Sequence, residues 1–335
     1  MTQNTPLSPR PVDEATRRVQ SAAQLRARGV TAAHTAAQCL PGGPWQQLLP
    51  SVYLLHRGAP TNDDRVRGAL LYAGRPPGAA RRAVPAQHGP GYGESMVTGL
   101  TALALYGFSS APTMIALHRI DVLVPRTRRL RSTRFVQVIR SADLPRPQRR
   151  LGVPLAPVER ALADAVASLT DASTVRRILT EAVRGGHCEP GSVVRELDDA
   201  KLLGRAHVVD AVDALLVEGR AVAEGRLYGM VRSHGLPQPL WNVELSLPGG
   251  GFLGGVDAYW PEQAVALEIG TRSPREERVL HTAERERLER LGVAVVRVTP
   301  RQLRESAAQL SVVLRTAMMA AEDREPASCV VILPR

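Results

Sequence analysis

The sequence predicts a multidomain α/β protein, and three observations predict it. Its 335 residues are too many for one ordinary core, and 44% of them are apolar, enough to fill two or three. Hydrophobic periodicity changes character along the chain, from short mixed runs to about residue 155, to helical runs up to about 218, to helix, three strands, helix, strand, helix. That last order belongs to an α/β layer. The predicted division is therefore 12–57, 58–155, 156–218 and 219–320.

In the first segment, Val19, Ala22, Ala23 and Leu25 against Arg17, Arg18, Arg26 and Arg28 predict one helix from Val12 to Arg28, ended by Gly29. Thr31 is a predicted N-cap for a second helix, Ala32 to Leu40, which Pro41-Gly42-Gly43-Pro44 must stop. Trp45–Leu49 and Val52–Leu55, split by Pro50-Ser51, read as a β-hairpin, and helix, turn, helix, hairpin is the order of a winged helix. The second segment opens a helix at Thr61-Asn62-Asp63-Asp64 that runs to Gly74, followed by a Pro/Gly-rich loop from Arg75 to Gly93. Glu94–Tyr106 reads as an apolar helix, and Ile120–Val124 and Phe135–Ile139 as strands around a basic turn, together a small α+β module. From Val158 to Leu216 the pattern is that of a helical connector, with Asp171 as an N-cap and breaks at Gly185-Gly186 and Gly204. The last segment should hold a helix Val222–His234, strands Trp241–Leu247, Phe252–Trp260 and Ala264–Ile269, and a charged helix Arg275–Arg290. A strand Val293–Val298 and a helix Pro300–Met319 complete it, with Cys329–Leu333 able to add an edge strand.

Charge is unevenly placed. Residues 1–160 carry 22 arginines and no lysine against 8 acidic residues, a net of +14, whereas the remainder carries 21 basic against 24 acidic residues, a net of −3. A GC-rich codon bias would enrich arginine in both halves, so the imbalance itself points to a nucleic-acid-facing N-terminal half. Cys39, Cys188 and Cys329 fit neither a disulfide framework nor paired zinc-ligand spacing and read as ordinary thiols. No apolar run has the length of a membrane span, and the first residues lack the apolar core of a signal peptide, so a cytoplasmic protein without membrane partners is expected.

The chemistry-bearing candidates are Asp257 and Glu268. The short turn between their runs predicts antiparallel neighbours, which would bring two carboxylates together inside apolar strands. A divalent cation commonly compensates such acids, although Glu268 at an exposed edge or paired with Arg272 is an equally simple account. Gly255-Val256-Asp257 to Trp260-Pro261, Leu267-Glu268-Ile269, Arg285 to Leu288, Leu291-Gly292 and Val295 to Thr299 resemble the small endonuclease-like domain related to very-short-patch repair enzymes, of the PD-(D/E)xK or restriction-endonuclease-like class. The resemblance covers about 221–314 and implies Mg²⁺ held by Asp257 and Glu268, with Glu224 as the extra helical acid. It also exposes a departure: position 270 is Gly270, where the nucleases carry Lys. Glycine cannot help to activate water, Arg272 stays protonated, and His281 has the look of a solvent-facing residue, so a degenerate site is expected.

The earlier runs Ser21–Leu25, Pro41–Trp45, Leu49–Leu55, Thr98–Leu103 and Val122–Pro125 resemble the AbiEi-type antitoxin regulators of actinobacteria. That resemblance implies binding to double-stranded operator DNA and, in complete systems, restraint of a nucleotidyltransferase-type toxin. On the helix after Thr31, Ala33, Ala36, Ala37 and Leu40 are expected to pack inward, leaving His34, Thr35 and Gln38 to meet bases or phosphates. Relatives carry basic residues in the wing near Trp45, where this chain has Gln46 and Gln47. Phosphate contact should then fall to Arg17, Arg18, Arg26 and Arg28 or to Arg126, Arg128, Arg129 and Arg131. The reading is a DNA-binding regulator with a degenerate nuclease-like module and no cofactor. A Mg²⁺-dependent endonuclease and an interaction protein whose basic half meets an acidic partner stay open as alternatives.

Overall fold

The computed structural model describes residues 18–74, 92–270, 285–322 and 330–334. Among them the chain is mixed α/β with three sheets, and it divides into two units, Met1–Ala182 with Glu196–Val208, and Val183–Arg195 with Val209–Arg335. The helices between 156 and 218 are thus shared between the two units.

The first unit begins with a strand. Val19–Ser21 (β1) pairs antiparallel with Val52–Leu54 (β3), so the single helix expected from Val12 to Arg28 is corrected over its described part. The helix Ala22–Ala27 (α1) starts only after Ser21, because Ser21 and Gln24 form a capping box: Ser21 Oγ accepts from the Gln24 N–H at 3.3 Å and Gln24 Oε1 accepts from the Ser21 N–H at 2.8 Å. Ala32–Gln38 (α2) is capped by Thr31 as expected, and Gln46–Leu49 (β2) completes a three-stranded sheet in the order β1-β3-β2. Asn62–Ala73 (α3) follows, with a Thr61–Asp64 capping box and Leu70 and Val66 fully buried on it.

The second sheet has five strands, in the order 136–141, 120–125, 96–97, 153–155, 148–150. Met96–Val97 (β4), a strand of 2 residues, precedes the helix Gly99–Tyr106 (α4), so the apolar helix expected from Glu94 starts only at Gly99. Ile120–Pro125 (β5) and Val136–Ser141 (β6) are parallel, which makes 126–135 a return crossover rather than the turn of a hairpin. Gln148–Arg150 (β7) and Val153–Leu155 (β8) form a small hairpin that the sequence pattern did not predict. Val158–Ser168 (α5) packs Leu162 and Val166 inward, and Ala172–Arg184 (α6) starts at Asp171, whose carboxylate accepts from Thr174 N–H at 2.9 Å.

Pro190–Asp199 (α7) is followed by Ala206–Ser233 (α8), one unbroken helix of 28 residues where a connector and a separate helix were expected. Gly235, at φ +61°, ends it. The sheet of the second unit has five strands, in the order 294–298, 265–269, 252–260, 240–246, 331–334. Its members are Leu240–Ser246 (β9), Phe252–Trp260 (β10), Val265–Ile269 (β11), Ala294–Val298 (β12) and the edge strand Val331–Pro334 (β13). β11 and β12 are parallel and the other neighbours antiparallel. Of the charged helix expected over 275–290, residues 285–290 are described and helical, and the earlier part lies outside the described residues. Pro300–Glu305 (α9) and Ala307–Glu322 (α10), separated at Ser306, replace the one expected final helix.

Two apolar layers sandwich this sheet. Ala258, Trp260, Leu267 and Val298 face Leu227, Val231 and Leu314, while Val243, Leu245, Tyr259 and Ala266 face Leu288 and Val293. Each fully buried valine or leucine among them contributes roughly 1.5–3 kcal/mol. Trp260 also donates its indole N–H to Pro237 O at 2.7 Å, which satisfies its one polar atom. None of the described helices is long and apolar enough to cross a membrane.

Candidate functional site

The acids lie where a strand pair parts. β10 and β11 pair through Tyr259↔Ala266 and end at Ala258↔Leu267, so Asp257 is the first β10 residue beyond the ladder. On its other side β9 carries Asn242 in the left-handed region, φ +50°, directly opposite in the register. The pleat slips here: Val256 and Ala258, two residues apart, join different apolar layers. Asp257 is 6% exposed in the resulting gap. Its Oδ2 accepts from the Ile269 N–H at 2.6 Å, taking over a backbone donor that an unbroken ladder would have used.

The other oxygen meets a cation of the chain itself. Arg220 Nη2 donates to Asp257 Oδ1 at 2.5 Å, and Arg220 Nε donates to Glu224 Oε1, one turn further along α8, at 2.8 Å. Asp257 and Glu224 therefore share one guanidinium, and Asp257 reaches the amide that follows Glu268. Glu268 itself is half-buried on β11 and in register with Arg297 of β12. Gly270 donates its N–H to Val298 O at 2.8 Å and extends the parallel ladder by one bond. Arg272 and His281 lie outside the described residues.

A divalent cation does not fit this arrangement. Hard cations need several oxygens around them at about 2.0–2.6 Å. Here the carboxylates of Asp257 and Glu224 both accept from one guanidinium, a group that carries its own positive charge. Among the described residues no group of three or more His, Cys, Asp or Glu side chains is arranged to hold a metal ion. Sequence reasoning missed Arg220, although Arg220 and Glu224 at i,i+4 spacing were a visible signal.

In the first unit the candidate DNA contacts separate by burial. Arg17 lies outside the described residues. Arg18 turns inward, with Nη2 2.9 Å from His56 Nε2 and 3.9 Å from the buried Asp64. Arg26 and Arg28 are exposed at the end of α1. Thr31 is exposed and caps α2, accepting from the His34 N–H at 3.1 Å. The expected inward face of α2 is corrected: Ala33, Ala36, Ala37 and Leu40 are exposed, and Thr35, expected outward, is buried at 5%, its hydroxyl donating to Thr31 O at 3.0 Å. A hydroxyl that bonds the carbonyl one turn back has its polarity satisfied within the helix, which lets threonine sit on the inner face. His34 is exposed, its ring edge-on to Trp45 at 5.9 Å, and Gln38 is half-buried, its backbone oxygen held by the Trp45 N–H at 3.1 Å.

The basic crossover is anchored rather than loose. Arg128 Nη2 donates to Ala73 O at 2.6 Å, at the C-terminal end of α3, where a cation complements the helix dipole. Tyr72 donates its hydroxyl to Arg131 O at 2.8 Å. Arg134, which the sequence did not single out, donates to both Gln47 O and Leu48 O at 3.1 Å and so ties the crossover to β2. Arg126, Arg129 and Arg131 are exposed along it.

No protein-family model and no curated protein matches this chain.

Proposed function

We propose that the chain is a DNA-binding regulator of the AbiEi-antitoxin kind, with a winged helix at 19–54 and a restriction-endonuclease-like module in its second unit that no longer cuts. The observation that carries the proposal is the fixing of the basic crossover to the hairpin. The wing's own strand β2 offers only Gln46 and Gln47, and Gln46 donates to the His56 and Gly58 carbonyls at 2.9 and 2.8 Å, which leaves it little to offer a phosphate. Arg134 brings the segment bearing Arg129 and Arg131 to that same strand. Positive charge missing from the wing is thus supplied from another part of the chain, in keeping with phosphate contacts that position a duplex without reading it. Base contact falls to the exposed His34 and to the solvent-facing atoms of Gln38 and Thr31. Restraint of a nucleotidyltransferase toxin is part of the same proposal and rests on resemblance alone. The shared guanidinium at Asp257 disfavours the endonuclease alternative.

Gel-shift titration of duplex DNA from the chain's own promoter region, against unrelated duplex as competitor, tests this. Arg129→Ala with Arg131→Ala should weaken binding about 10-fold or more, Arg134→Ala should weaken it although its side chain is committed to carbonyls, and added Mg²⁺ should leave the DNA intact. Unchanged affinity in both variants would remove the crossover from the interface, and Asp257-dependent cleavage would install the nuclease in its place.

A further inference from the structure

We propose that the guanidinium of Arg220 takes the place of a divalent cation between the carboxylates at the strand fork, so that the second unit holds its fork by an internal cation and needs no metal. Calling the fork a former metal position rests on the nuclease-like reading above; the charge arrangement does not.

A carboxylate as buried as Asp257 needs both a counter-charge and hydrogen-bond donors. Arg220 supplies both at once. Its Nε and Nη2 form one edge of a planar fork, and that edge is divided between Glu224 Oε1 and Asp257 Oδ1. The second Asp257 oxygen takes the Ile269 amide of β11. One arginine thereby links helix α8 to both strands of the fork, through one carboxylate on its own helix and one on β10 that in turn grips β11. A bridging metal would make the same three connections. Arginine suits the task because it stays charged at any pH the fold survives and is more weakly hydrated than ammonium, so it can sit at a half-buried position. A metal bound at Asp257 Oδ1 with Arg220 in place would set a divalent charge beside a guanidinium.

The test is thermal unfolding of the full chain in EDTA, Mg²⁺ and Mn²⁺, for wild type, Arg220→Ala, Arg220→Gln and each combined with Asp257→Asn. The wild-type midpoint should differ by less than about 1 °C between EDTA and millimolar Mn²⁺, because an occupied site leaves nothing for the metal to stabilise. Arg220→Ala should unfold several degrees lower in EDTA and recover in Mn²⁺, and the recovery should vanish with Asp257→Asn. Should Arg220→Ala not fold, Arg220→Gln carries the same readout, with Mn²⁺ binding followed by electron paramagnetic resonance. A wild-type midpoint that rises with Mn²⁺ and loses the rise in Asp257→Asn overturns the proposal, as does the absence of any Mn²⁺ response in both Arg220 variants. DNA binding measured on the same samples fails or holds independently, which separates this inference from the regulatory reading.

Discussion

Asp121 stands next to a second carboxylate in a setting that has little water. Burial, and then the charge of Asp164, push it up to about 6, with Arg119 drawing it down. Asp164 is better served, since Thr98 Oγ1 donates to it at 2.6 Å and Arg160 Nε reaches both of its oxygens at 3.1 Å. The consequence for stability has a definite sign. Below pH about 4 Asp121 is protonated in both states; between about 4 and about 6 the folded chain keeps a proton that the unfolded chain releases, so stability falls as pH rises through that window and stays lower above it. Asp121→Asn should therefore stabilise the first unit at pH 7, by on the order of 2 kcal/mol, and leave it unchanged near pH 4. Melting curves from pH 4 to pH 7 check this, and equal slopes for wild type and variant would sink it. At this scale the sequence was only partly legible. Asp257 announced itself as an acid inside an apolar run, but its partner Arg220 lies 37 residues away, and no local pattern states which cation will fill a buried gap. Thr35 misled because its hydroxyl looks outward-facing in composition, while a bond to Thr31 O makes it an inner residue.

Elements were legible where their signals are local. Capping residues at Thr31 and Thr61 fixed two helix starts correctly, because a cap needs only its own next few residues, whereas α2 stops at Gln38, short of the expected Leu40. β1 was hidden, since Val19–Ser21 is short and its strand character comes from β3, more than 30 residues on; the Ser21–Gln24 box was the overlooked clue to where the helix begins. The parallel pairing of β5 and β6 was equally illegible, because alternation sets strand faces but not direction. The turn from α2 into β2 makes a sharper statement. Trp45 N–H bonds Gln38 O at 3.1 Å, closing the turn over Gly43, and a Cβ on Gly43 would lie 2.2 Å from that same Gln38 oxygen and 2.9 Å from Leu40 O. Both obstacles are backbone, so the turn itself must shift. Gly43→Ala should cost roughly 1–3 kcal/mol, read as a lower urea midpoint at unchanged slope. A variant as stable as wild type would show that α2 and β2 can separate freely.

For the whole molecule, the strongest property written in the sequence is the charge difference, a net of +14 over residues 1–160 against −3 over the rest. Much of that arginine is committed within the fold: Arg18 to His56, Arg67 to Asp63, Arg128 and Arg134 to backbone carbonyls, Arg160 to Asp164. Counting charge thus overstates the surface available to phosphates, and burial gives the better measure. Of the candidates named from sequence, Arg26, Arg28, Arg126, Arg129 and Arg131 remain exposed. If each of these neutralises one phosphate, the logarithm of the binding constant should fall with the logarithm of salt concentration at a slope of about −4.5, and each Arg→Ala should remove about 0.9 from it. Arg18→Ala should leave the slope alone while lowering stability, because Arg18 faces His56 and Asp64. An acidic protein partner would give a shallower dependence, since a folded surface releases fewer condensed counterions than a duplex does. A slope shallower than about −1, or one that responds to Arg18 as strongly as to Arg129, would therefore rule out the duplex as the partner of the basic half.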